Sequence, residues 1–248
     1  MIDLNGLSMH RKRIINNMNK ALVVSATRHD KESTTLYNSG IVNDSTVDLL
    51  WIDYNELPLA KIYNDAIIMY KNEYDYIVFV HDDVFIPHGT NLHTQLDYFN
   101  SKYSYDVMGL AGAKTFVLQE PALWHLMSKR EDHRGAVSHY LKRPEGYPVK
   151  DHNVTSFGPM PDRVLGIDGL FIALRCDRIT DGMRFDESNP GKWHLYDLDF
   201  CLTVNRQHRS IGVVDIPVVH ESPGLLDIND ASFQQAQRWF LTKWNKQP

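Results

Sequence analysis

The sequence has little of what would commit it to the extracellular space, to a membrane or to duplex nucleic acid. It holds only two cysteines, Cys176 and Cys201. They form neither a CxxC pair nor a disulfide framework, so a reducing cytoplasm is the expected setting and both read as buried fillers. No stretch approaches the roughly 18 apolar residues of a membrane span. Residues 1–20 are polar and carry His10-Arg11-Lys12-Arg13 without the apolar segment of a secretory signal. That basic run reads as a solvated face, and any membrane contact through it would be peripheral. Nor is there a basic excess: 26 Lys and Arg stand against 31 Asp and Glu, a net charge of -5. A dedicated binder of bare duplex nucleic acid is thereby disfavoured. Internal repeats and low-complexity tracts are absent, and no glycine-rich phosphate loop follows the first apolar run.

What is present is an alternation of short apolar runs and helical periods. The 248 residues, 43% of them hydrophobic, can bury most of the unfolded surface as one domain spanning 1–248. Residues 21–27, 47–53 and 76–80 read as buried strands, and 57–71 repeats apolar residues at helical spacing between the last two. Strand, helix, strand implies a right-handed crossover, hence an α/β fold with a mostly parallel sheet flanked by helices and a ligand at the strands' carboxyl ends. Further helices are expected over 91–103, 194–207 and 230–244, and strands over 107–113, 164–174 and 212–219. Residues 120–163 lack sustained periodicity and mix Trp124, Lys129, Arg130, Arg134, Tyr140, Lys142, Arg143 and Lys150 with Pro and Gly. They read as a functional insertion or lid.

Acidic residues collect where those runs stop. The strand at 76–80 ends in His81-Asp82-Asp83, whose carboxylates repel unless solvated or holding a cation. A divalent ion such as Mg²⁺ or Mn²⁺ resolves the repulsion and bridges protein oxygens to a diphosphate. In Tyr196-Asp197-Leu198-Asp199, at a helix start, the two acids point to different sides. One suits a general base, and the other a cap or a hold on nearby backbone. His220 closes another apolar run, where an imidazole is structural or, in company with Asp83, a metal ligand.

The order of Ala60-Lys61-Ile62-Tyr63-Asn64-Asp65-Ala66, His81-Asp82-Asp83-Val84, Ile167-Asp168-Gly169-Leu170-Phe171, Phe185-Asp186-Glu187, Tyr196-Asp197-Leu198-Asp199 and Val219-His220-Glu221-Ser222 resembles the family-2 glycosyltransferases of the GT-A fold. Within them it is most similar to the subgroup resembling the streptomycin-biosynthesis protein StrF. The resemblance spans about residues 22–220 and implies an inverting, metal-dependent transfer from a nucleoside-diphosphate-sugar to a hydroxyl. It implies Asp83 and His220 on the metal, with His81 standing at an acidic position of the family's motif. Asp197 becomes the base, with Tyr196 in place of an acidic partner. Ser25, Thr27, Arg28, Asp53, Asn64, Asp82, Asp168 and Gly169 fall on the donor side. A sugar nucleotidyltransferase would favour a glycine-rich loop where Ser25-Ala26-Thr27-Arg28-His29-Asp30 stands. The expected acceptor is a glycan or lipid-linked saccharide. The alternatives are a hydroxylated base in DNA, gripped by the basic and aromatic residues of 120–163, and a non-catalytic domain that only binds nucleotide or glycan.

Overall fold

An apolar run with no polar side must be covered on both faces, and such runs form the centre of the molecule. The computed structural model describes residues 19–140, 152–221 and 227–245. In chain order the elements are β1 (Ala21–Ala26), β2 (Val47–Ile52), α1 (Leu59–Tyr70), β3 (Tyr76–Val80), β4 (Val84–Phe85), α2 (Leu92–Tyr103), β5 (Val107–Gly109), β6 (Ala111–Ala113), α3 (Trp124–Met127), β7 (His133–Tyr140), β8 (His152–Gly158), β9 (Asp162–Arg163), β10 (Gly166–Ile167), β11 (Phe171–Arg175), α4 (Tyr196–Arg206), β12 (Ile211–Val213), β13 (Val219–His220) and α5 (Ala231–Trp244). None of these helices is long and apolar enough to cross a membrane.

A seven-stranded sheet runs in the order β2-β1-β3-β11-β5-β12-β9. β1 is parallel to β2 and β3, and β12 to β5, whereas β11 is antiparallel to β3 and β5, and β9 to β12. The fold is α/β as expected, but the sheet is mixed rather than mostly parallel. The cause is the route of the chain. β11 is not reached by a helical crossover; the chain comes from β10 in a second sheet and turns at residues 168–170 beside the end of β3, pairing Phe171 with Val80.

The second sheet has the order β10-β6-β7-β13-β4, with β8 paired to β7. Three apolar runs that read as single strands each divide between the two sheets: 107–113 into β5 and β6, 164–174 into β10 and β11, 212–219 into β12 and β13. Composition stays apolar while the chain passes between sheets, so periodicity does not reveal the break. Segment 120–163, expected to be irregular, supplies α3 and the antiparallel β7–β8 pair. β8 is largely exposed and so shows no apolar alternation. Lys142, Arg143 and Lys150 lie outside the described residues, as does the basic run at 10–13.

Side chains of the central strands alternate between two cores. Leu22, Val24, Ile77 and Phe79 pack with Tyr63 of α1 and Phe200 of α4, while Val23, Val78 and Val80 pack with Leu92, Leu96 and Phe99 of α2. Each such side chain contributes roughly 1.5–3 kcal/mol when fully buried. Leu195 and Leu198 form a third cluster with Phe233, Phe240 and Trp244 of α5, whose N-terminus is capped by Asp230 accepting Phe233 N at 2.8 Å. Both cysteines are free and buried.

Asp199 of α4 is fully buried. Its carboxylate does not hold nearby backbone, as the sequence suggested; Oδ1 accepts Trp244 Nε1 at 2.8 Å and pairs with Lys243 Nζ at 2.7 Å. Lys243 also reaches Asp186 Oδ2 at 2.7 Å. Burial pushes the Asp199 carboxyl upward against the pull of Lys243. Removing the ammonium leaves a buried carboxylate unpaired, so Lys243→Met is expected to lower the unfolding free energy by about 3 kcal/mol, read from urea denaturation. An unchanged midpoint would show that the pair contributes nothing to stability.

Candidate active site at the end of the central sheet

β3 delivers Val80 to an edge where the chain is fixed from two sides. His81 N donates to Leu170 O at 3.1 Å, and the turn at Asp82 and Asp83 is closed by Leu36 N on Asp82 O (2.9 Å) and Glu221 N on Asp83 O (2.8 Å). β4 then pairs with β13, which sets His220 opposite Val84. His220 Nε2 thereby stands 3.2 Å from Asp83 Oδ1. That is an ion-pair distance without the alignment of a hydrogen bond, and Asp83 Oδ1 is buried with no directed donor.

His81 completes the group: one ligand-capable atom from each of His81, Asp83 and His220 lies within 4.8 Å of the others. Two imidazoles and an unsatisfied buried carboxylate oxygen converging on one point fit a divalent cation. Burial pushes the Asp83 carboxyl up, but His220 and His81 more than offset this and hold it below the usual range. Burial lowers His220, yet Asp83 raises it further; His81 is lowered, chiefly by burial, and is ready as a neutral ligand.

The second group comes from α4. Its entry is sharp, with Leu195 in the left-handed region at φ 59°, and this turns Tyr196 and Asp197 toward the residues between β10 and β11. Asp197 Oδ2 accepts Gly169 N at 2.9 Å, and its Oδ1 accepts Leu198 N at 2.8 Å. Tyr196 Oη donates to Gly169 O at 3.2 Å and lies 2.7 Å from His81 Nε2. A Cβ on residue 169 would collide with the Tyr196 hydroxyl and lie 3.0 Å from Asp197 Oδ2, so only glycine fits. Asp168 Oδ1 accepts Leu170 N at 3.2 Å within the same turn.

The Asp197 carboxylate sits among protein atoms while part of the residue stays open to solvent. Burial, and then the negative charge of Asp168, push its pKa up to about 7, against the pull of the Leu198 and Gly169 N–H groups. A carboxyl titrating near neutrality is suited to take a proton from a hydroxyl.

A cavity of about 300 Å³ opens between Arg28 and His29 after β1, Tyr63 of α1, His81 and Asp82 after β3, and Trp193. The Arg28 guanidinium lies 4.6 Å from the centre of the Trp193 ring, within cation–π range. Trp193 is carried on a strained loop in which Lys192 and Leu195 have φ 46° and 59°. Asn189 Nδ2 on His194 O (2.8 Å) and Leu59 N on Lys192 O (3.2 Å) hold that loop in place.

Of the donor-side residues named from sequence, Arg28 and Asp82 line this cavity. Thr27 is buried, and its hydroxyl accepts His29 N at 3.2 Å. Ser25 is buried in β1 with Oγ unpartnered. Asp53 pairs with Lys31 at 3.3 Å and keeps Oδ1 buried without a donor. Asn64 does not line the cavity; its Nδ2 donates to Phe185 O (2.9 Å) and Glu187 Oε1 (2.8 Å), and its Oδ1 accepts Phe185 N (3.0 Å). Its amide therefore anchors the loop after β11. Sequence reasoning gave no role to Tyr63, His29 and Trp193, and placed His81 in the donor-binding run His81-Asp82-Asp83 without making it a metal ligand. His81 had a signal, being an imidazole directly before two acids at a strand end; Trp193 had none.

In segment 120–163 two residues read from sequence as nucleic-acid contacts are used internally. Arg134 is buried, pairs with Asp162 at 2.5 Å and donates to the carbonyls of Glu131 (2.6 Å) and His133 (2.7 Å). Trp124 is buried beside His133 and Phe157 and offers no face for a base to stack on.

A family model described as a glycosyltransferase-like family matches residues 27–244. No curated protein matches the chain. Among solved structures, GalNAc-T7 with UDP, GalNAc and Mn²⁺ gives a TM-score of 0.56 at 8% identity, over 93% of this chain and 49% of that one. S. aureus TarS 1-349 gives 0.50 at 16% identity, over 90% of this chain and 65% of that one. A197 from STIV gives 0.46 at 11%, over 86% and 99%. The chain thus spans about half of the GalNAc-T7 chain and 65% of the TarS fragment. At these identities the first two matches establish the GT-A fold alone.

The raised pKa of Asp197 has a direct readout. In the metal-free protein one aspartate carboxyl is expected to titrate near pH 7 in a carbon-13 NMR experiment, and the signal should vanish in Asp197→Asn. If this carboxyl serves as a general base it must be ionised, and activity should then fall about tenfold per pH unit below its pKa. A carboxyl titrating near pH 4 would remove the burial argument.

Proposed function

Because the chain belongs to the glycosyltransferase-like family, we propose that it is an inverting, metal-dependent glycosyltransferase of the StrF-like subgroup, moving a sugar from a nucleoside-diphosphate-sugar to a hydroxyl. The observation that supports this best is the meeting, at one sheet end, of the His81, Asp83 and His220 cluster with a carboxyl whose pKa lies near 7.

In this reading the cavity takes the donor, with Arg28 facing the diphosphate and Trp193, Tyr63 and Asp82 walling the space; Asp53 and Asp168, outside its lining, are assigned to the donor by the resemblance alone. Asp197 accepts the acceptor's proton as that oxygen bonds to the anomeric carbon from the face opposite the diphosphate. The anomeric bond to the diphosphate breaks in the same step, so the configuration inverts. His81, Asp83 and His220 would hold a divalent ion, which would supply positive charge against the leaving group. No protein nucleophile takes part.

A glycan or lipid-linked saccharide is the acceptor we favour over a hydroxylated base in DNA, since Arg134 and Trp124 are committed inside the fold. Segment 120–163 is proposed as the acceptor-side element of a single domain spanning 1–248. Free, buried cysteines suit a cytoplasmic setting. A non-catalytic domain would have no need to keep a buried carboxyl near pH 7 beside an unsatisfied Asp83 oxygen.

Two measurements test this reading. Calorimetry should show Mn²⁺ tightening nucleoside-diphosphate binding more than Mg²⁺, because two imidazoles suit a transition ion better than Mg²⁺; equal affinity in EDTA, or in Asp83→Ala, removes the metal. Asp197→Asn should lower nucleoside-diphosphate release from the donor in the presence of acceptor by about 10²- to 10⁴-fold, with donor affinity unchanged. A wild-type rate in that variant would place the base elsewhere.

A further inference from the structure

We propose that Tyr196 is a positioning residue for the metal: its hydroxyl decides which nitrogen of His81 carries the proton and leaves the other nitrogen open for a cation. The proposal rests on the metal-dependent reading above. A phenol has one proton and two lone pairs. Tyr196 Oη has Gly169 O at 3.2 Å, which can only accept, and His81 Nε2 at 2.7 Å, which gives or takes according to its tautomer; the Tyr63 hydroxyl also faces it. When the Tyr196 proton goes to the Gly169 carbonyl, its lone pairs are left to accept from His81 Nε2–H. His81 Nδ1 is then unprotonated, as a metal ligand must be. The opposite tautomer would place a proton on Nδ1 and leave the buried Gly169 carbonyl without this donor.

The residues themselves argue for a matched pair. His81 Nε2 and the Tyr196 hydroxyl stand 2.7 Å apart in a buried setting. Two carboxylates at that separation in a buried site would repel, whereas imidazole and phenol make a neutral hydrogen bond. Tyr196 is buried against Tyr63 and Phe185, so its hydroxyl has no freedom to serve another partner.

The test is Mn²⁺ binding to metal-stripped protein, without donor or acceptor, by electron paramagnetic resonance, together with the nitrogen-15 shifts of the His81 ring in the metal-free state. The ring should report the Nε2–H tautomer in the wild type and a mixture in Tyr196→Phe, which keeps the aromatic packing. Tyr196→Phe should bind Mn²⁺ about 10- to 100-fold more weakly, His81→Ala at least as weakly, and the double variant no more weakly than His81→Ala. Additive losses would mean that Tyr196 acts apart from His81 and would overturn the proposal, as would an Nδ1–H tautomer in the wild type. If Tyr196→Phe alone binds as the wild type does while Asp83→Ala fails, only the role of Tyr196 falls. If Asp83→Ala also binds normally, the metal reading falls with it.

Discussion

The peptide of Gly169 is the point on which both halves of the candidate site bear. Its N–H is taken by Asp197 and its carbonyl by Tyr196, and a side chain at this position would strike both. The peptide can occupy that point only because β11 returns antiparallel along β3, with Leu170 O accepting His81 N. The mixed character of the sheet is therefore a condition of the site. A helical crossover into β11 would bring it in parallel to β3, and residues 168–170 would sit at the other end of the sheet, away from His81 and Asp83.

Charge gives the same region its chemistry. Asp82, Asp83, Asp168 and Asp197 all approach the strand end, and the protein treats them differently. Asp83 is held ionised chiefly by His220; Asp197, with N–H groups and another acid nearby, is driven upward by burial. Two carboxyls whose environments push them apart are what a site needs if one is to bind a cation and the other to move a proton. The difference arises from neighbours brought in by β13 and by α4, since the side chains are chemically the same.

Much of this architecture was legible in the sequence where periodicity is strong. β1, β2, β3, α1, α2, α4 and α5 fall within a residue or two of the apolar runs and helical repeats that indicate them. Legibility failed where the chain leaves one sheet for another without a change of composition, as between β5 and β6, and where a strand is exposed on both sides, as in β8. Within the site, Asp83 and His220 each end an apolar run, but their 3.2 Å approach depends on β4 pairing with β13, which no local pattern encodes. The resemblance paired them; periodicity did not. Asn64 shows the converse failure, because a motif position beside the donor gave no hint that its amide anchors residues 185–187. Trp193 lies in a loop whose shape comes from left-handed residues and long-range hydrogen bonds, and single-sequence spacing carries no trace of it.

The geometry around Asp197 also reaches the far end of the chain. Two residues on, Asp199 is gripped by Lys243 and Trp244 of α5, and Arg206 near the end of α4 lies 4.1 Å from the Trp244 ring. His194, at the entry to α4, stands 3.5 Å from Asp230, the cap of α5. Both ends of α4 are thus fixed against α5, while the loop before α4 carries Trp193 into the cavity. A strained, left-handed entry at Leu195 persists only if its surroundings over-determine it, and α5 provides that surrounding structure. Burying a carboxyl such as Asp197 works against the fold, and burial of the apolar cluster joining α4 to α5 contributes stability in the opposite sense. Holding the Asp197 carboxyl in a high-pKa position is thereby a property of the helix pair as well as of the residues in contact with Asp197.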